Sequence, residues 1–421
     1  MSQSSSNPFS IAVQAPAATT QPPRPAWMPP AGYFADIPMR NTPNDVVPSV
    51  YTRDNYLMNN PFVQWGGSAI LRDYSELGAQ VFYSAGHESA GGLPNFQFSL
   101  ICDFSSLTWR TANAPLKSNN SNTFVNGYAP DGTPYCPHSY LGLQEMPKAW
   151  GGAAQGSLVA FFWAGSVWPN RIRLLDVSRA SLGYTTMSTR QPQNADPSMI
   201  RFAPTSTGGN YPITVQDEQR QGWWAAVAGP VSYTLFVSKT GEITQYPALG
   251  GNLINASMVL CPSLNLLIAI DGGYSTGPNA SASYRSMYVR NLATGQMSKT
   301  NSSGAVPSVT MGYDGSTVPN FHRMDVMGLQ WVEELGCIVG LDQTDKPPTL
   351  VKLTPPATNP ATNPWTWSKT ALQHWPSDTN GQETIQTAEY GYWSKFRWVP
   401  ALQAFVVCGS SARKPQVIRL T

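Results

Sequence analysis

Apolar and polar residues alternate in short runs along most of this chain, and turn-forming residues separate the runs. The final stretch, "SKFRWVPALQAFVVCGSSARKPQVIRLT", predicts strands over Lys395–Val399, Ala404–Gly409 and Gln416–Leu420. Alternation with a period of two is typical of strands that present one side chain to each face of a sheet. Earlier stretches repeat this order and add a fourth strand, so the pattern predicts a repeating four-stranded unit.

The repeat can be anchored on the residue before the first turn of each unit. The spacing between successive anchors varies from about 45 to about 72 residues, because the loops differ in length. Unequal loops around a constant order of strands are typical of a β-propeller and not of a solenoid. The predicted anchors are Leu71, Leu143, Val215, Leu260, Trp331 and Trp398.

A hairpin between the third and fourth strands supports this register. It runs over Asp103–Trp109, Asp176–Leu182 and Asn291–Met297, with a polar turn-former followed six residues later by a large apolar residue. Asp and Asn favour such a turn because the side-chain oxygen can accept a hydrogen bond from the backbone two residues on. The large apolar residue is predicted to pack between neighbouring units.

The unit "LLIAIDGGYSTGPNASASYRSMYVRNLATGQM" carries a family resemblance through its Gly272–Gly273 doublet, Tyr274 and the hairpin that ends at Met297. It resembles a kelch-type β-propeller, and the likeness extends as a pattern over about residues 66–421. The resemblance implies an all-β propeller with four-stranded antiparallel blades, and the six repeating units predict a single six-bladed propeller. It concerns architecture and says little about function.

The last unit lacks an outer strand, and an open sheet edge invites aggregation. The segment "DVVPSVYTRDN" precedes the first unit, and we predict that its residues Val47–Arg53 pair beside Gln416–Leu420 and close the ring. The predicted domain division is therefore an extended arm over residues 1–44 and a propeller over residues 45–421.

The predicted arm is rich in Pro and has no periodicity, so it cannot form a core of its own. It nevertheless carries apolar side chains that a plain spacer would lack, including Phe9, Trp27, Tyr33 and Phe34. We expect these four residues to bind a partner. The alternative is that the arm packs against its own propeller.

Charge and composition exclude several classes of protein. The net charge is +2 and no cluster of Lys and Arg with interleaved aromatics occurs, which argues against nucleic-acid binding. No apolar stretch is long enough to insert in a membrane, and the N-terminus does not resemble a signal peptide. Five widely spaced cysteines favour folding in a reducing compartment.

Linear motifs of catalysis and metal binding are not found. The four histidines have no metal-ligand spacing, so we expect no metal, no cofactor and no enzymatic activity. His138 and His322 leave one alternative, because copper-radical oxidases of the galactose oxidase type share the propeller architecture. Acidic residues recur near the first turn of each unit and are interpreted as solvated; they include Asp73, Glu145, Asp217, Glu333 and Glu334.

The aromatic residues are interpreted mainly as packing between units. Trp223 and Trp224 are adjacent in a strand, so one ring should lie on each face of the sheet. Trp168 follows a strand and is the candidate for a surface aromatic that stacks on a sugar of a receptor.

The combination of polar loops, aromatic strands and an aromatic-bearing arm is similar to propeller-containing virion proteins of tailed bacteriophages. That resemblance implies a structural protein of the tail or fibre attachment, with other virion proteins as partners. It also implies assembly in the host cytoplasm and a final location in the virion. The alternatives are a propeller that binds a cell-surface glycan or receptor and, third, an enzyme built on the propeller scaffold.

Overall fold

The structure of the chain is a computed structural model that describes residues 22–46, 66–84, 95–112, 116–118, 141–161, 172–178, 185–187, 213–227, 233–250, 256–270, 285–307, 324–379, 381–388, 391–410 and 413–421. These residues form an all-β structure, with one short α-helix and several 3₁₀ turns between strands. The predicted fold class is therefore confirmed at this level.

The strands are, in chain order, β1 (Tyr33–Asp36), β2 (Ser68–Leu71), β3 (Ala79–Ser84), β4 (Asn95–Asp103), β5 (Thr108–Thr111), β6 (Leu116–Ser118), β7 (Leu143–Met146), β8 (Ser157–Phe161), β9 (Ile172–Asp176), β10 (Thr185–Thr186), β11 (Ile213–Asp217), β12 (Gly222–Val227), β13 (Tyr233–Ser238), β14 (Ile243–Pro247), β15 (Ser257–Cys261), β16 (Leu266–Ile270), β17 (Ser286–Asn291), β18 (Met297–Gly304), β19 (Gln330–Val332), β20 (Cys337–Asp342), β21 (Thr349–Thr354), β22 (Trp365–Ala371), β23 (Gln373–His374), β24 (Phe396–Val399), β25 (Ala404–Val407) and β26 (Gln416–Ile418). The α-helix is α1 (Pro43–Val46), and the 3₁₀ turns are Lys148–Trp150, Pro262–Leu264, Met324–Met327, Glu333–Leu335 and Trp393–Lys395.

Consecutive strands pair as antiparallel meanders. The strands β2–β5, β7–β10 and β11–β14 form one four-stranded meander each. In an eight-stranded sheet, β15–β18 and β19–β22 form two more, joined by the parallel pair of β18 and β22. The last sheet contains β24, β25 and β26, followed by β1 and β23.

The first strands of the meanders contact one another in a closed circle. The strand β2 contacts β7, β7 contacts β11, β11 contacts β15, β15 contacts β19, β19 contacts β24, and β24 contacts β2 again. All the predicted anchors lie in these first strands or at their ends. The arrangement is propeller-like, with the first strands innermost.

The predicted turn-forming hydrogen bond is confirmed at each of its three positions. The Oδ1 atoms of Asp103, Asp176 and Asn291 accept hydrogen bonds from the backbone amide two residues on, at 3.0, 3.0 and 2.9 Å. Trp109 in the first hairpin is buried, as expected, and Leu182 lies outside the described residues. The local sequence therefore determines this turn in these three units.

The core lies between neighbouring sheets, because each inner strand buries both of its faces. Val81 packs toward the second meander, whereas its neighbour Phe82 packs toward the last sheet. Trp223 and Trp224 divide in the same way between two clusters, which confirms the prediction of one ring on each face. The Trp223 indole also donates a hydrogen bond to the carbonyl of Glu145 at 3.0 Å, linking two meanders.

The strand that completes the last sheet differs from the predicted one. Tyr33–Asp36 pairs antiparallel with Gln416–Ile418, with Phe34 opposite Ile418. The other edge of β26 is taken by β25, so no edge remains for Val47–Arg53, which lies outside the described residues. The predicted closure by an N-terminal strand is therefore corrected to a segment within the region that was expected to be an arm.

The residues after β1 continue to the first meander. The backbone amide of Arg40 donates to the carbonyl of Leu107 at 2.8 Å. The Asn41 side chain then forms two hydrogen bonds with the backbone of Trp109, donating to its carbonyl at 2.9 Å and accepting from its amide at 2.7 Å. One N-terminal segment thus joins the last sheet to the first.

Candidate functional site: an axial cavity

A cavity of about 260 Å³ lies inside the circle of first strands. Its lining residues belong to β2, β7, β11, β19 and β24 or directly follow these strands. We call it the axial cavity. Its chemistry is carried by Arg72, Glu145, Glu218, Trp331, Arg397 and Trp398.

Arg72 is held between two carboxylates that belong to two other meanders. Its Nε donates to Oε2 of Glu145 at 2.6 Å, and its Nη2 donates to Oε1 of Glu218 at 2.6 Å. The backbone amide of Arg72 also donates to Oε1 of Glu145 at 2.6 Å. The Arg72 guanidinium therefore links three meanders through its two carboxylate partners.

Burial and charge act in opposite directions on this group. The Glu145 side chain is 2% exposed, and burial raises its pKa although Arg72 is beside it. Burial alone would lower the pKa of Arg72, but Glu145 and Glu218 raise it above the ordinary value. Glu218 is 45% exposed, so its carboxylate is the more accessible of the two that line the cavity.

Arg397 has a different environment in the same cavity. Its Nη2 donates to the carbonyls of Ser68 and Leu143 at 3.1 and 3.4 Å, and its Nε is buried without an acceptor. Its Nη1 forms no hydrogen bond with any described residue, and none of their carboxylates pairs with the guanidinium. Burial lowers the pKa of Arg397 to about 10, so the group stays cationic at neutral pH without a counter-charge.

Two tryptophans from adjacent strands complete the wall. Trp331 packs edge-to-face on Trp365, and Trp398 packs edge-to-face on Phe405. The Trp398 amide also donates to Oε1 of Gln330 at 2.7 Å, which fixes β24 against β19. Both indoles are partly exposed where they line the cavity. Their remaining surface lies against the core, so their orientation is set by packing.

The cavity therefore combines aromatic surface with hydrogen-bonding atoms that the protein does not use. Oε1 of Glu218 accepts from both Arg72 and Gln216, whereas its Oε2 forms no hydrogen bond with a described residue. Nη1 of Arg397 is likewise a donor without an acceptor among the described residues. A few polar groups placed among aromatic rings are typical of pockets that bind small molecules.

Two of the acidic residues near the first turns are buried and paired with donors. Glu145 and Asp217 are buried, so their interpretation as solvated residues was wrong. Asp217 pairs with Arg220 at 3.1 Å and accepts from the Trp224 indole at 2.9 Å. The physical reason is that each acid has a nearby donor, which compensates its loss of solvent.

The exposed acids of these turns link meanders as well. Oδ2 of Asp73 accepts from the backbone amide of Lys148 at 2.6 Å. Oε1 of Glu333 accepts from the amide of Ser263 at 3.0 Å. These contacts cross from one meander to the next, so the turns help to hold the ring together.

The residues predicted to bind a partner lie elsewhere. Phe34 is 1% exposed and packs inside the last sheet, so its assignment as a docking residue is corrected. Trp27 is half-buried against the core between the last and first sheets, and Tyr33 is half-buried on β1. Phe9 and the receptor-binding candidate Trp168 lie outside the described residues.

In the described part of the chain, no group of three or more His, Cys, Asp or Glu residues has a geometry that could hold a metal ion. His138 and His322 are outside that part. Within the same residues, no helix combines the length and apolar character needed to cross a membrane.

Sequence reasoning missed Arg72 and Arg397 as site residues. Each lies next to an anchor of the repeat, Arg72 directly after Leu71 and Arg397 directly before Trp398. Because the anchors mark the innermost strands, a search for charged residues that flank them would have found both.

Comparisons with known proteins give only distant similarities. No family model matches the chain, and no curated protein matches it. One similar structure is an α-L-arabinofuranosidase from Fusarium graminearum in complex with an iminosugar inhibitor, at 12% identity and a TM-score of 0.45, covering 93% of this chain and 99% of that one. A GH43 glycoside hydrolase with endo-xylanase and exo-arabinofuranosidase activity has 11% identity and a TM-score of 0.33, covering 83% and 66%. The mitotic checkpoint complex includes a chain with 10% identity and a TM-score of 0.38, covering 96% and 98%.

These neighbours have propeller-like folds, and several of them are enzymes. They contradict the expectation that the chain is not an enzyme, which rested on missing linear motifs, and that exclusion is withdrawn. With TM-scores below 0.5 they carry no argument for a particular activity. None of them bears on the kelch or bacteriophage resemblance.

Proposed function

We propose that the protein is a six-bladed β-propeller that binds a saccharide unit in its axial cavity. The six-bladed count is supported by the circle of contacts among first strands, in which each meander supplies one innermost strand. The kelch-like character is supported by the repeated third-to-fourth-strand hairpin.

The observation that carries the proposed binding is the composition of the cavity wall. Trp331 and Trp398 offer aromatic surface on which the apolar face of a sugar ring can pack. Oε2 of Glu218 can accept a hydrogen bond from a sugar hydroxyl, and Nη1 of Arg397 can donate one. At about 260 Å³ the cavity is slightly below the range of roughly 300–1,000 Å³ found for drug-sized ligands, which suits a single ring.

A glycan array with neutral and acidic glycans tests this proposal. The purified wild-type protein should bind a subset of glycans, and Glu218→Gln should weaken that binding about tenfold through loss of a charged acceptor. Glu242→Gln is the matched control, because Glu242 is an exposed carboxylate on the β13–β14 hairpin. Binding to no glycan, or equal binding by both variants, would contradict the proposal.

Catalysis belongs to the same test. Each bound glycan is incubated with the protein, and released reducing sugar is measured. Release would add a hydrolytic activity to the binding function, and stable binding would define a lectin-like propeller.

A second proposal, the role as a virion component, is supported by composition and by the position of the N-terminal segment. Residues 22–46 are held on the last and first sheets, and residues 1–21, with Phe9, precede them in the sequence. We propose that these residues dock on another assembly protein. A variant that lacks residues 1–21 but keeps β1 should no longer co-purify with capsid, portal or tail proteins. Its unfolding transition should stay unchanged. Unchanged co-purification would refute this docking role.

A further inference from the structure

The two arginines of the axial cavity differ in one decisive respect. Arg72 contacts both carboxylates of the cavity wall, at 2.6 Å each. Arg397 contacts only backbone carbonyls, which are neutral acceptors. The formal charges of Arg72, Arg397, Glu145 and Glu218 cancel, but both negative charges lie at the first arginine and none lies at the second.

An arginine in this position is unfavourable unless something compensates it. Removing a cation from water is costly, and buried charges in proteins are normally paired. Nε of Arg397 is buried without an acceptor, and Nη1, which belongs to a side chain that lines the cavity, has no acceptor among the described residues. The cavity is thus pre-organised to receive a negative charge beside Arg397.

We infer that the saccharide bound in the axial cavity is acidic, with its anionic group on Nη1 of Arg397. This inference rests on the proposed saccharide binding and adds the charge class of the ligand. The anionic group is a carboxylate, as in a uronic acid, or a sulfate ester, since either presents oxygen acceptors to a single guanidinium nitrogen.

The rest of the cavity is consistent with one end of the ligand being anionic and the other neutral. Glu218 leaves an acceptor on the side of Arg72, which favours a hydroxyl and repels a second acidic group. Trp331 belongs to β19, and Trp398 belongs to β24, the strand that also contains Arg397. The sugar ring would therefore pack on the tryptophans, with its acidic group on Arg397 and a hydroxyl at Glu218.

The test uses pairs of glycans on one array that differ only by a terminal acidic group. Each neutral terminal galactose is matched with galacturonic acid and with galactose 6-sulfate, and other sugars are paired in the same way. The wild-type protein should prefer the acidic member by about tenfold or more, since hydrogen bonds between charged groups are the stronger ones. The carboxylate and sulfate arms show which anionic group is recognised.

Variants locate the source of that preference. Arg397→Gln should abolish the preference for the acidic member, and Arg397→Lys should keep part of it. Arg419→Gln is the control, because Arg419 is also half-buried and donates to a backbone carbonyl, that of Pro29 at 3.3 Å, outside the cavity. If Arg397→Gln does not fold, the acidic ligand is tested on the wild-type protein alone. Its preference for the acidic member of each pair should then decrease as salt is added.

The outcomes separate this inference from the function on which it rests. Equal binding of neutral and acidic members, or a preference that persists in Arg397→Gln, would overturn the acidic ligand while saccharide binding stands. Binding to no member of any pair would overturn both.

Discussion

The closure of the ring by β1 gives a sharp prediction at Phe34. Its side chain is 1% exposed and packs in the cluster between the β19–β22 meander and the last sheet. Its ring centroid lies 5.3 Å from that of His374. Replacing a buried Phe by Ala removes its burial and leaves a cavity, which costs about 3–5 kcal/mol in protein cores. Phe34→Ala should lower the free energy of unfolding by that amount.

The neighbouring residue supplies a matched control. Tyr33 is half-buried on the same strand, and its backbone hydrogen bond to Arg419 is kept in an alanine variant. We expect Tyr33→Ala to lower the free energy of unfolding by only about 1 kcal/mol. The two variants therefore differ in the buried side chain and not in the pairing of the strand.

Guanidinium unfolding followed by tryptophan fluorescence measures these differences. Hydrogen exchange adds a local readout, because β1 pairs with Gln416–Ile418. The amides of that strand should exchange faster in Phe34→Ala than in Tyr33→Ala. If both variants are equally stable and equally protected, β1 does not close the ring and the reasoning is refuted.

Three further predictions concern contacts across the ring. Asn41→Ala should destabilise the protein by about 1–2 kcal/mol, because two hydrogen bonds to the edge strand β5 are lost. Glu145→Ala should cost about 2–3 kcal/mol, less than a fully buried pair, because Arg72 is 36% exposed and keeps its second carboxylate. Asp345→Asn should cost up to about 1 kcal/mol at pH 7, because Lys369 holds the pKa of Asp345 below its usual value despite partial burial.

Denaturant unfolding measures all three predictions, and each has its own contradicting result. Denaturant unfolding of Asn41→Ala at the level of wild type would show that the N-terminal segment does not support the first sheet. Glu242→Ala is the exposed control for Glu145→Ala, and equal losses in both would refute the interstrand link.

The Asp345 prediction depends on pH with a defined sign. A lowered pKa in the folded state stabilises it above the ordinary pKa of about 3.8, and this contribution disappears as the pH falls through the folded-state pKa. The difference between wild type and Asp345→Asn should therefore vanish in acid. A difference that stays constant down to pH of about 2.5 would contradict the assignment.

Much of the architecture could be predicted because it depends on local sequence. The hairpin turns at Asp103, Asp176 and Asn291 need only a side chain and an amide two residues away. Trp223 and Trp224 lie on opposite faces because adjacent residues of a strand always do. Such features do not depend on which distant segments meet.

The closing strand could not be predicted because its partner lies at the other end of the chain. Tyr33–Asp36 has prolines on both sides, at 30 and 38, which made it resemble an extended arm. Val47–Arg53 directly precedes the first unit, which made it the expected closing strand. Pairing is decided by the fit of Phe34 and Ala35 into the cores around β26, which the linear sequence does not display.

The axial cavity was missed for a similar reason. Arg72 and Arg397 are far apart in sequence and meet only when the ring is closed. Their different roles depend on where Glu145 and Glu218 lie in space, and motif searches contain no such information. The same limit explains why missing motifs could not exclude an enzyme.

The most direct measurement is a crystal structure of the protein with the acidic glycan that gives the strongest array signal. We expect the sugar ring to lie against Trp331 and Trp398, with its anionic group within hydrogen-bonding distance of Nη1 of Arg397. A glycan bound outside the axial cavity, for example at Trp168, or bound in it with the anionic group away from Arg397, would contradict the central claim.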